Sequence, residues 1–327
     1  MTAEDPMIEG ADWPLFGWID DVRPALEQAR RGARPVVLAT LYRISGSAPR
    51  GPGAQMLFDG RRASGYFSGD CVEGDVARHA AEVLASRVCR HLHYGQGSPW
   101  IDIRLRCGGA LHILLEPVAP DSPALADLLD MGKSRRPCRW VTDGTRQTVE
   151  LGTGPLLAME EEPFRLARRF APARRVIVSG GDPGALALAA LAAQAGFETI
   201  LVRPDGPTTP PPLGGLRYLR TVPAEALARL GVDEWTAFIG ATHEDHHDLP
   251  ACLHALRHRA GWVGMIGAKS RSPGRLDALR AIGASESELA RLRLSPGIAG
   301  LGKSPWEVAT GIVAEVMQAL NPMAERA

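Results

Sequence analysis

Apolar runs and turn residues divide the first part of the chain into short predicted strands and one loop. Residues 36–44, VVLATLYRI, are mostly apolar and β-branched, which predicts a buried strand. The stretch SGSAPRGPGA that follows is rich in glycine, proline and serine and therefore predicts a loop. AQMLFD, at residues 54–59, predicts a second short strand.

The spacing of apolar residues over 72–86 predicts an amphipathic helix. Asp70 is followed three residues later by Glu73, which is typical of a capping box. The pattern predicts Asp70 as the N-cap and Cys71 as the first helical residue. The apolar face of this helix would consist of Val72, Val76, Ala80 and Val83.

The middle of the chain has a weaker pattern. IDIRLR alternates from residue 101, which predicts two strands meeting at Cys107-Gly108-Gly109. Proline and arginine interrupt the periodicity from about residue 119 to residue 172, which predicts a linker. RWVTD and QTVELG could still be strands of the first domain.

The last part of the chain predicts a doubly wound parallel sheet. From residue 173 a strand, a glycine turn, an alanine-rich helix and a second strand follow one another, as in a βαβ unit. WTAFIGAT and GWVGMIGA predict further strands, and VATGIVAEVMQAL predicts a closing helix. The predicted fold class is α/β, with a mixed α/β domain before a Rossmann-like one. The predicted boundaries are 1–120 for the first domain, 121–172 for the linker region and 173–327 for the second domain.

Composition excludes several classes of function. The 327 residues carry 37 Lys+Arg against 37 Asp+Glu, so no excess charge points to nucleic acid or to a membrane surface. No apolar run reaches the roughly 18 residues of a membrane span, and the acidic first residues do not resemble a signal peptide. Five widely spaced cysteines are typical of reduced thiols, which predicts a cytoplasmic protein.

The first candidate site lies in the predicted N-terminal domain. Cys71, at a predicted helix start, would have a lowered pKa and a neighbouring anion site, although a small buried residue is an equal alternative. Cys107 precedes two glycines that could allow close approach to a ligand or could simply form a hairpin turn. Arg50 and the glycines of its loop could bind a phosphate. Spacing of the C-x₂-C kind is absent, so no metal held by protein ligands alone is predicted.

The second candidate site is the glycine turn SGGDPG, at residues 179–184. It follows a strand and precedes a helix, as a dinucleotide fingerprint requires, but Ser179 replaces the first glycine and leaves Gly181 and Gly184. Arg203 stands near the position of the usual ribose-binding carboxylate. This arrangement could suit NADP, or dinucleotide binding could be lost.

Two further loops of this domain carry charged residues. ATHEDHHD, at 241–248, could bind a metal or could be an ordinary polar loop at a strand end. GMIGAKSRSPGRL, at 264–276, offers an anion site at a helix start or a salt-bridged turn. The candidate residues of the second loop are Gly267, Lys269 and Arg271.

Taken together, these motifs resemble the XdhC/CoxI family of accessory proteins, which mature xanthine dehydrogenase and carbon monoxide dehydrogenase. The resemblance extends over nearly the whole chain. Its motifs are GSAPRGPGA (46–54), SGDCVEG (68–74), CGGALHILLEP (107–117), the glycine turn at 179–184, ATH (241–243), GMIGAKSR (264–271) and GLGKSP (300–305).

The resemblance implies a chaperone that binds the molybdenum cofactor and is not a turnover enzyme. It would hold the cofactor for sulfuration by a cysteine desulfurase and deliver it to an apo molybdenum hydroxylase, and it would be a homodimer. Cys71 matches the cysteine of the family's SGGC motif and is the possible molybdenum contact, with Cys107 second. The other cofactor-binding residues implied by the match are Gly46, Ser47, Pro49, Arg50, Glu73, Gly108 and Gly109.

The sequence departs from the family pattern at four positions. Asp70 replaces a glycine beside Cys71, and Ala299 replaces an aspartate near the C-terminus. Ser179 and Arg203 depart from the dinucleotide fingerprint and put NAD(P) binding in doubt. Two alternatives therefore stay open: an NADP-dependent oxidoreductase, and a non-catalytic scaffold that binds a small molecule.

Overall fold

The computed structural model describes residues 21–60, 62–69, 72–95, 98 and 108–321. The chain divides into two compact units, one up to Pro172 and the other from Ala173. Among the described residues, no helix combines the length and the apolar character needed to cross a membrane.

The first unit is built on an antiparallel sheet of five strands in the order β3-β2-β1-β5-β4. The first residues of its central strand, VVLATL, are buried, as their apolar character predicts. The side chains on one face of this sheet pack against α2, and those on the other face pack against α1 and α3. The elements are α1 (Arg23–Arg31), β1 (Val36–Ser45), β2 (Gln55–Phe58), β3 (Ala63–Gly65), α2 (Glu73–Ser86), β4 (Arg90–Gly95) and β5 (Ala110–Val118).

Residues 121–172 complete this unit with a helix and a small sheet. The four strands pair in the order β7-β6-β9-β8, all antiparallel. Trp140 and Phe170 of this sheet share a buried cluster with Leu38 and Leu128, so the sheet packs on the first unit's own core. The elements are α3 (Pro123–Lys133), β6 (Cys138–Thr142), β7 (Gln147–Leu151), β8 (Leu157–Glu160) and β9 (Arg165–Phe170).

Helix α2 begins later than its sequence predicts. Its N-cap is Val72, which makes no side-chain capping bond, and Glu73 is the first helical residue. The predicted start at Cys71 is therefore wrong, and the Glu73 carboxylate accepts hydrogen bonds from the loop before the helix. The predicted apolar face is confirmed: Val72, Val76, Ala80 and Val83 are all buried.

The second unit is a parallel sheet of six strands in the order β12-β11-β10-β13-β14-β15. This is the strand order of a Rossmann fold, so the predicted fold class is confirmed. The elements are β10 (Arg175–Gly180), α4 (Pro183–Gln194), β11 (Glu198–Val202), β12 (Leu216–Leu219), α5 (Pro223–Leu230), β13 (Thr236–Ala241), α6 (Asp245–Arg257), β14 (Trp262–Met265), α7 (Ser272–Ala281), α8 (Glu286–Leu289), β15 (Leu292–Leu294) and α9 (Pro305–Ala319).

Helices cover both faces of this sheet. Helices α4 and α9 share one buried cluster with the sheet, and α5 and α6 share the other. The chain leaves β10 in one direction across the sheet and returns on its other side to β13, so the strand order reverses between these two strands. In such folds, ligands bind at the carboxyl ends of the strands at this reversal. The turns after β10 and β13 therefore form the expected ligand position in this unit.

Candidate functional site

In the first unit, the loop after β1 lies directly against the turn before β5. A Cβ atom on Gly109 would lie 2.2 Å from the carbonyl oxygen of Ser47. A Cβ atom on Gly46, whose φ is +76°, would lie 3.3 Å from the Cα atom of Gly109. Both backbones can approach this closely because glycine has no side chain. The structure thus brings together two segments that are far apart in sequence, and both were predicted to bind the same ligand.

Arg50 extends this contact to a third segment. Its guanidinium carbon lies 4.6 Å from the centre of the Tyr66 ring, the geometry of a cation–π contact. Tyr66 lies between β3 and residues 67–69, in the segment that leads to Cys71. The sequence around Tyr66 does not identify this residue, because a lone aromatic residue carries no sign of its distant partner. Pro49 is exposed beside this contact.

Glu73 holds the segment before Cys71 in place. Its side chain is buried, and its carboxylate accepts hydrogen bonds from the backbone N–H groups of Phe67 (2.9 Å), Ser68 (2.6 Å) and Gly69 (3.1 Å). The Ser68 hydroxyl also donates to it at 2.6 Å. A buried carboxylate with this many donors fixes a loop strongly. Glu73 therefore fixes the backbone of residues 67–69, the segment that leads to Cys71.

The two predicted thiols, Cys71 and Cys107, lie outside the described residues, as does Asp70. The described thiols are poor candidates for a soft metal contact. Burial raises the pKa of Cys89 to about 12 and also raises the pKa values of Cys138 and Cys252. A thiol that stays protonated is neither a good ligand nor a good nucleophile.

Gly108 and Gly109 are described and mark where the segment of Cys107 joins the sheet. Gly108 is exposed, has a φ of +70°, and would meet no atom of the described residues within 4 Å if it carried a Cβ. Among the described residues, Ser47 closes the Gly109 side of this turn and none lies against the Gly108 side.

In the second unit, Ser179 lies inside the sheet and not in the glycine turn. Its hydroxyl donates to the carboxylate of Asp248 at 3.1 Å, and the backbone N–H of Thr242 donates to the same carboxylate at 3.2 Å. Asp248 is fully buried, and this burial raises its pKa. The Ser179 side chain is thus used to tie β10 to α6.

The glycine turn after β10 is already occupied by protein groups. A Cβ atom on Gly181 would lie 2.6 Å from Cδ of Arg203, so the arginine side chain lies flat against the turn. The carboxylate of Asp182 accepts from the backbone N–H of Ala185 at 2.8 Å and caps α4. Gly184 lies in the first turn of α4, half-buried. In a dinucleotide site, the cofactor's pyrophosphate takes this end of the helix. A fixed negative charge stands there instead, and the residues present do not fit a bound dinucleotide.

The cationic turn after β14 is also partly engaged in ion pairs. Arg271 lies 2.9 Å from the carboxylate of Asp245, and the buried Arg275 lies 3.1 Å from the same carboxylate. A Cβ atom on Gly267 would lie 2.6 Å from Nη1 of Arg275, so this glycine makes room for the arginine. Lys269 is exposed in the turn of Lys269–Arg271. Local sequence does not predict the pairing of Asp245 with Arg275, because this pair connects different elements.

Comparisons with known proteins agree with the fold and the motifs. Residues 29–95 match the model of the XdhC and CoxI family, and residues 176–316 match that of the XdhC Rossmann domain. The chain is 31% identical over 303 residues to the molybdenum cofactor insertion chaperone PaoD of Escherichia coli (strain K12), covering 91% of this chain and 88% of PaoD.

Two further matches are more distant. A Bacillus subtilis (strain 168) protein described as a probable xanthine dehydrogenase subunit is 26% identical over 320 residues, covering 86% of this chain and 92% of the relative. A crystal structure described as a xanthine dehydrogenase from Bacillus halodurans superposes with a TM-score of 0.69 at 22% identity. It covers 93% of this chain and 96% of that structure, and at this identity the match supports the fold alone.

Proposed function

The chain belongs to the XdhC and CoxI family, and we propose that it is a molybdenum cofactor chaperone that binds the cofactor in its first unit. The observation that carries this proposal is the contact of three predicted cofactor-binding segments in that unit: the loop of Gly46 to Arg50, the segment held by Glu73, and the turn of Gly108 and Gly109. The similarity to PaoD, which is named as a molybdenum cofactor insertion chaperone, supports the choice of ligand.

The residues of this region suit the chemistry of the cofactor, which is the cargo of such a chaperone. Its pterin part carries a phosphate, and Arg50 is a cation on a glycine-rich loop, as phosphate binding requires. Its molybdenum and sulfur atoms are soft partners for thiolates. We assign these contacts to Cys71 first and to Cys107 second, since each is joined in sequence to one of the converging segments.

In this proposal the protein binds and delivers its cargo and performs no turnover of its own. It holds the cofactor while a cysteine desulfurase exchanges an oxo ligand on molybdenum for sulfur, and then passes it to an apo molybdenum hydroxylase. These two partners, and a homodimeric assembly, rest on the family resemblance alone.

The alternative of an NADP-dependent oxidoreductase is less well supported. Asp182 and Arg203 occupy the end of α4 where the cofactor's pyrophosphate would bind. Arg203 is otherwise suitable for the 2′-phosphate of NADP, so this alternative makes a definite prediction about nucleotide binding. The second alternative, a scaffold for another small molecule, predicts a protein without molybdenum.

The decisive experiment measures molybdenum and pterin in the protein purified from a cofactor-producing host. We expect close to one cofactor per chain in the wild type and a large loss in Cys71→Ala, with a smaller loss in Cys107→Ala. Cys89→Ala is the matched control, because this half-buried thiol is protonated at neutral pH, and it should keep the wild-type content. A wild type without molybdenum would refute the chaperone role, and equal contents in all four proteins would remove the cysteines from the site.

A further inference from the structure

The loop between β13 and α6 brings two histidines and one carboxylate together. Glu244 is the N-cap residue of α6, and His246 and His247 lie in its first turn. One ligand atom from each of the three residues can be chosen so that all three atoms lie within 4.8 Å of one another. Two imidazoles and one carboxylate form the donor set of many catalytic zinc sites. We propose that Glu244, His246 and His247 bind a divalent transition-metal ion, with Zn²⁺ as the best match.

The distances between the donors are close to those around a bound zinc ion. Oε2 of Glu244 lies 3.5 Å from Nε2 of His246 and 3.8 Å from Nε2 of His247. Bonds of about 2.0–2.2 Å in a tetrahedron separate neighbouring donor atoms by about 3.3–3.6 Å. The two distances from Glu244 are thus within about 0.5 Å of those around a bound zinc ion. The chosen nitrogens of His246 and His247 lie within 4.8 Å of each other, so binding needs side-chain rotations that bring these two rings to the ion.

The neighbouring polar residues are used elsewhere, which leaves these three as the donor group. His243 faces Asp182, with Nε2 3.2 Å from the carboxylate. Asp245 pairs with two arginines, and Asp248 is buried under Ser179 and Thr242. The described contacts of the Glu244 carboxylate are the two imidazoles themselves.

The exposure of the three side chains favours a binding site with an open position. The exposed fractions are 59% for Glu244, 70% for His246 and 16% for His247. A metal bound here would keep at least one water molecule, as zinc does in sites with three protein ligands. Glu244 and His246 are exposed and can rearrange at little cost, whereas the mostly buried His247 is the more fixed donor.

Two electrostatic effects set the strength of binding. The amino end of α6 carries a partial positive charge, which opposes a cation. Arg271 and Arg275 add positive charge nearby, but the carboxylate of Asp245 lies between them and offsets part of it. We expect the ion to be bound by Glu244, His246 and His247 together.

The test is a Zn²⁺ titration by isothermal calorimetry, with the full-length chain carrying Cys71→Ser and Cys107→Ser and no affinity tag. These two changes remove thiols that would compete for zinc. We expect one site at neutral pH, weakened at least about tenfold by His246→Ala and by Glu244→Gln. His254→Ala is the matched control, because His254 stacks on His258 at the other end of the same helix and should leave the affinity unchanged.

Three outcomes would overturn the proposal: no Zn²⁺ binding by the parent protein, equal affinity in the parent and in His246→Ala, or loss of binding in the His254→Ala control. Co²⁺ gives a second readout, since tetrahedral nitrogen and oxygen ligation produces visible bands without a sulfur charge-transfer band. These bands should disappear in His246→Ala, and bands that persist would contradict the assignment. Unchanged thermal unfolding of each variant shows that the fold is intact, and the site lies in the second unit, so the result does not depend on the proposed cofactor role.

Discussion

Nε2 of His243 lies 3.2 Å from a carboxylate oxygen of Asp182, and this contact joins the turns after β13 and β10. The other oxygen of the same carboxylate caps α4. Asp182 thus connects the two strands between which the order of the sheet reverses, and it does so at the point where Rossmann proteins bind a pyrophosphate. The position that a pyrophosphate takes in other Rossmann proteins is therefore occupied by the carboxylate of Asp182.

Removal of this charge should improve dinucleotide binding. Asparagine caps a helix as well as aspartate does, so Asp182→Asn keeps the α4 cap and removes only the negative charge. We expect weak binding of NADPH by the wild type and binding about tenfold tighter in Asp182→Asn, measured by fluorescence titration. Glu225→Gln, which removes an exposed carboxylate from α5, is the control and should bind like the wild type. Tight binding by the wild type would contradict our interpretation of Asp182.

Glu73 should be important for stability as well as for the cargo. In Glu73→Gln, an amide N–H₂ group would face backbone donors of residues 67–69 that now bond to the carboxylate. Because hydrogen bonds to a charged group would be lost and buried donors left unpaired, we expect the free energy of unfolding to decrease by about 2 to 3 kcal/mol. Urea denaturation measures this change, and the cofactor content should fall in parallel.

The control for this prediction is Glu82→Gln, on an exposed position of the same helix. Its ion pairs with Arg78 and Arg90 are at the surface, where such pairs contribute little, so we expect a change below about 1 kcal/mol. Similar effects of the two substitutions would show that Glu73 does not hold the loop.

The elements that the sequence predicts well are those with a strong local pattern. β1 and the βαβ unit that opens the second unit are long apolar runs between turn residues, and local pattern suffices for both. Helix α3 lies in the region predicted as a linker, although Ser122 followed by Pro123 is a signal for a helix start. The Ser122 side chain does accept a hydrogen bond from the backbone N–H of Leu125. Asp182 followed by Pro183 is the same kind of signal, and it predicts that the Asp182 carboxylate caps α4 within the glycine turn.

Other features of the sites could not be predicted from local pattern. The contacts of Arg50 with Tyr66 and of Arg203 with Gly181 join segments whose distance depends on the whole fold. Asp70 and Glu73 have the spacing of a capping box, which predicts a start of α2 two residues before the observed one. The competing donors of Glu73, at residues 67–69, become visible only when the loop is folded back on the helix.

The contact between the two glycine segments gives a steric prediction. Gly109→Ala would place a methyl group 2.2 Å from the carbonyl oxygen of Ser47, so the loop after β1 must move. Overpacking of this kind costs about 1 to 3 kcal/mol, and we expect the cofactor content to fall more steeply than the stability. Gly74→Ala is the control, because its methyl group would meet none of the described atoms within 4 Å and it lies in a helix. That change should stabilise the protein by about 0.5 to 1 kcal/mol, as measured by urea denaturation.

Glu116 makes the stability of the first unit depend on pH. The side chain is fully buried in β5, and this burial raises its pKa to about 7 from an ordinary value of 4.5. Below the lower value, both the folded and the unfolded chain hold the proton. Between the two values the unfolded chain releases it while the folded chain keeps it, so stability falls as the pH rises. At about 1.4 kcal/mol per pKa unit, the total loss is about 3 kcal/mol, and it is complete above pH 7 or so.

Glu116→Gln replaces the ionisable carboxyl group by a neutral amide. The substitution should therefore be more stabilising at high pH, where the wild-type carboxyl group loses its proton, than at low pH. We expect its unfolding midpoint in urea to be similar to that of the wild type near about pH 5, where the folded wild type is protonated, and clearly higher near about pH 8. Asp127→Asn removes an exposed carboxylate from α3 in the same unit and serves as the control. The difference between wild type and control should be the same at both pH values. If Glu116→Gln also shifted the midpoint equally at both, ionisation of Glu116 would not be the cause, and the substitution would act through packing or through its contact with Gln147.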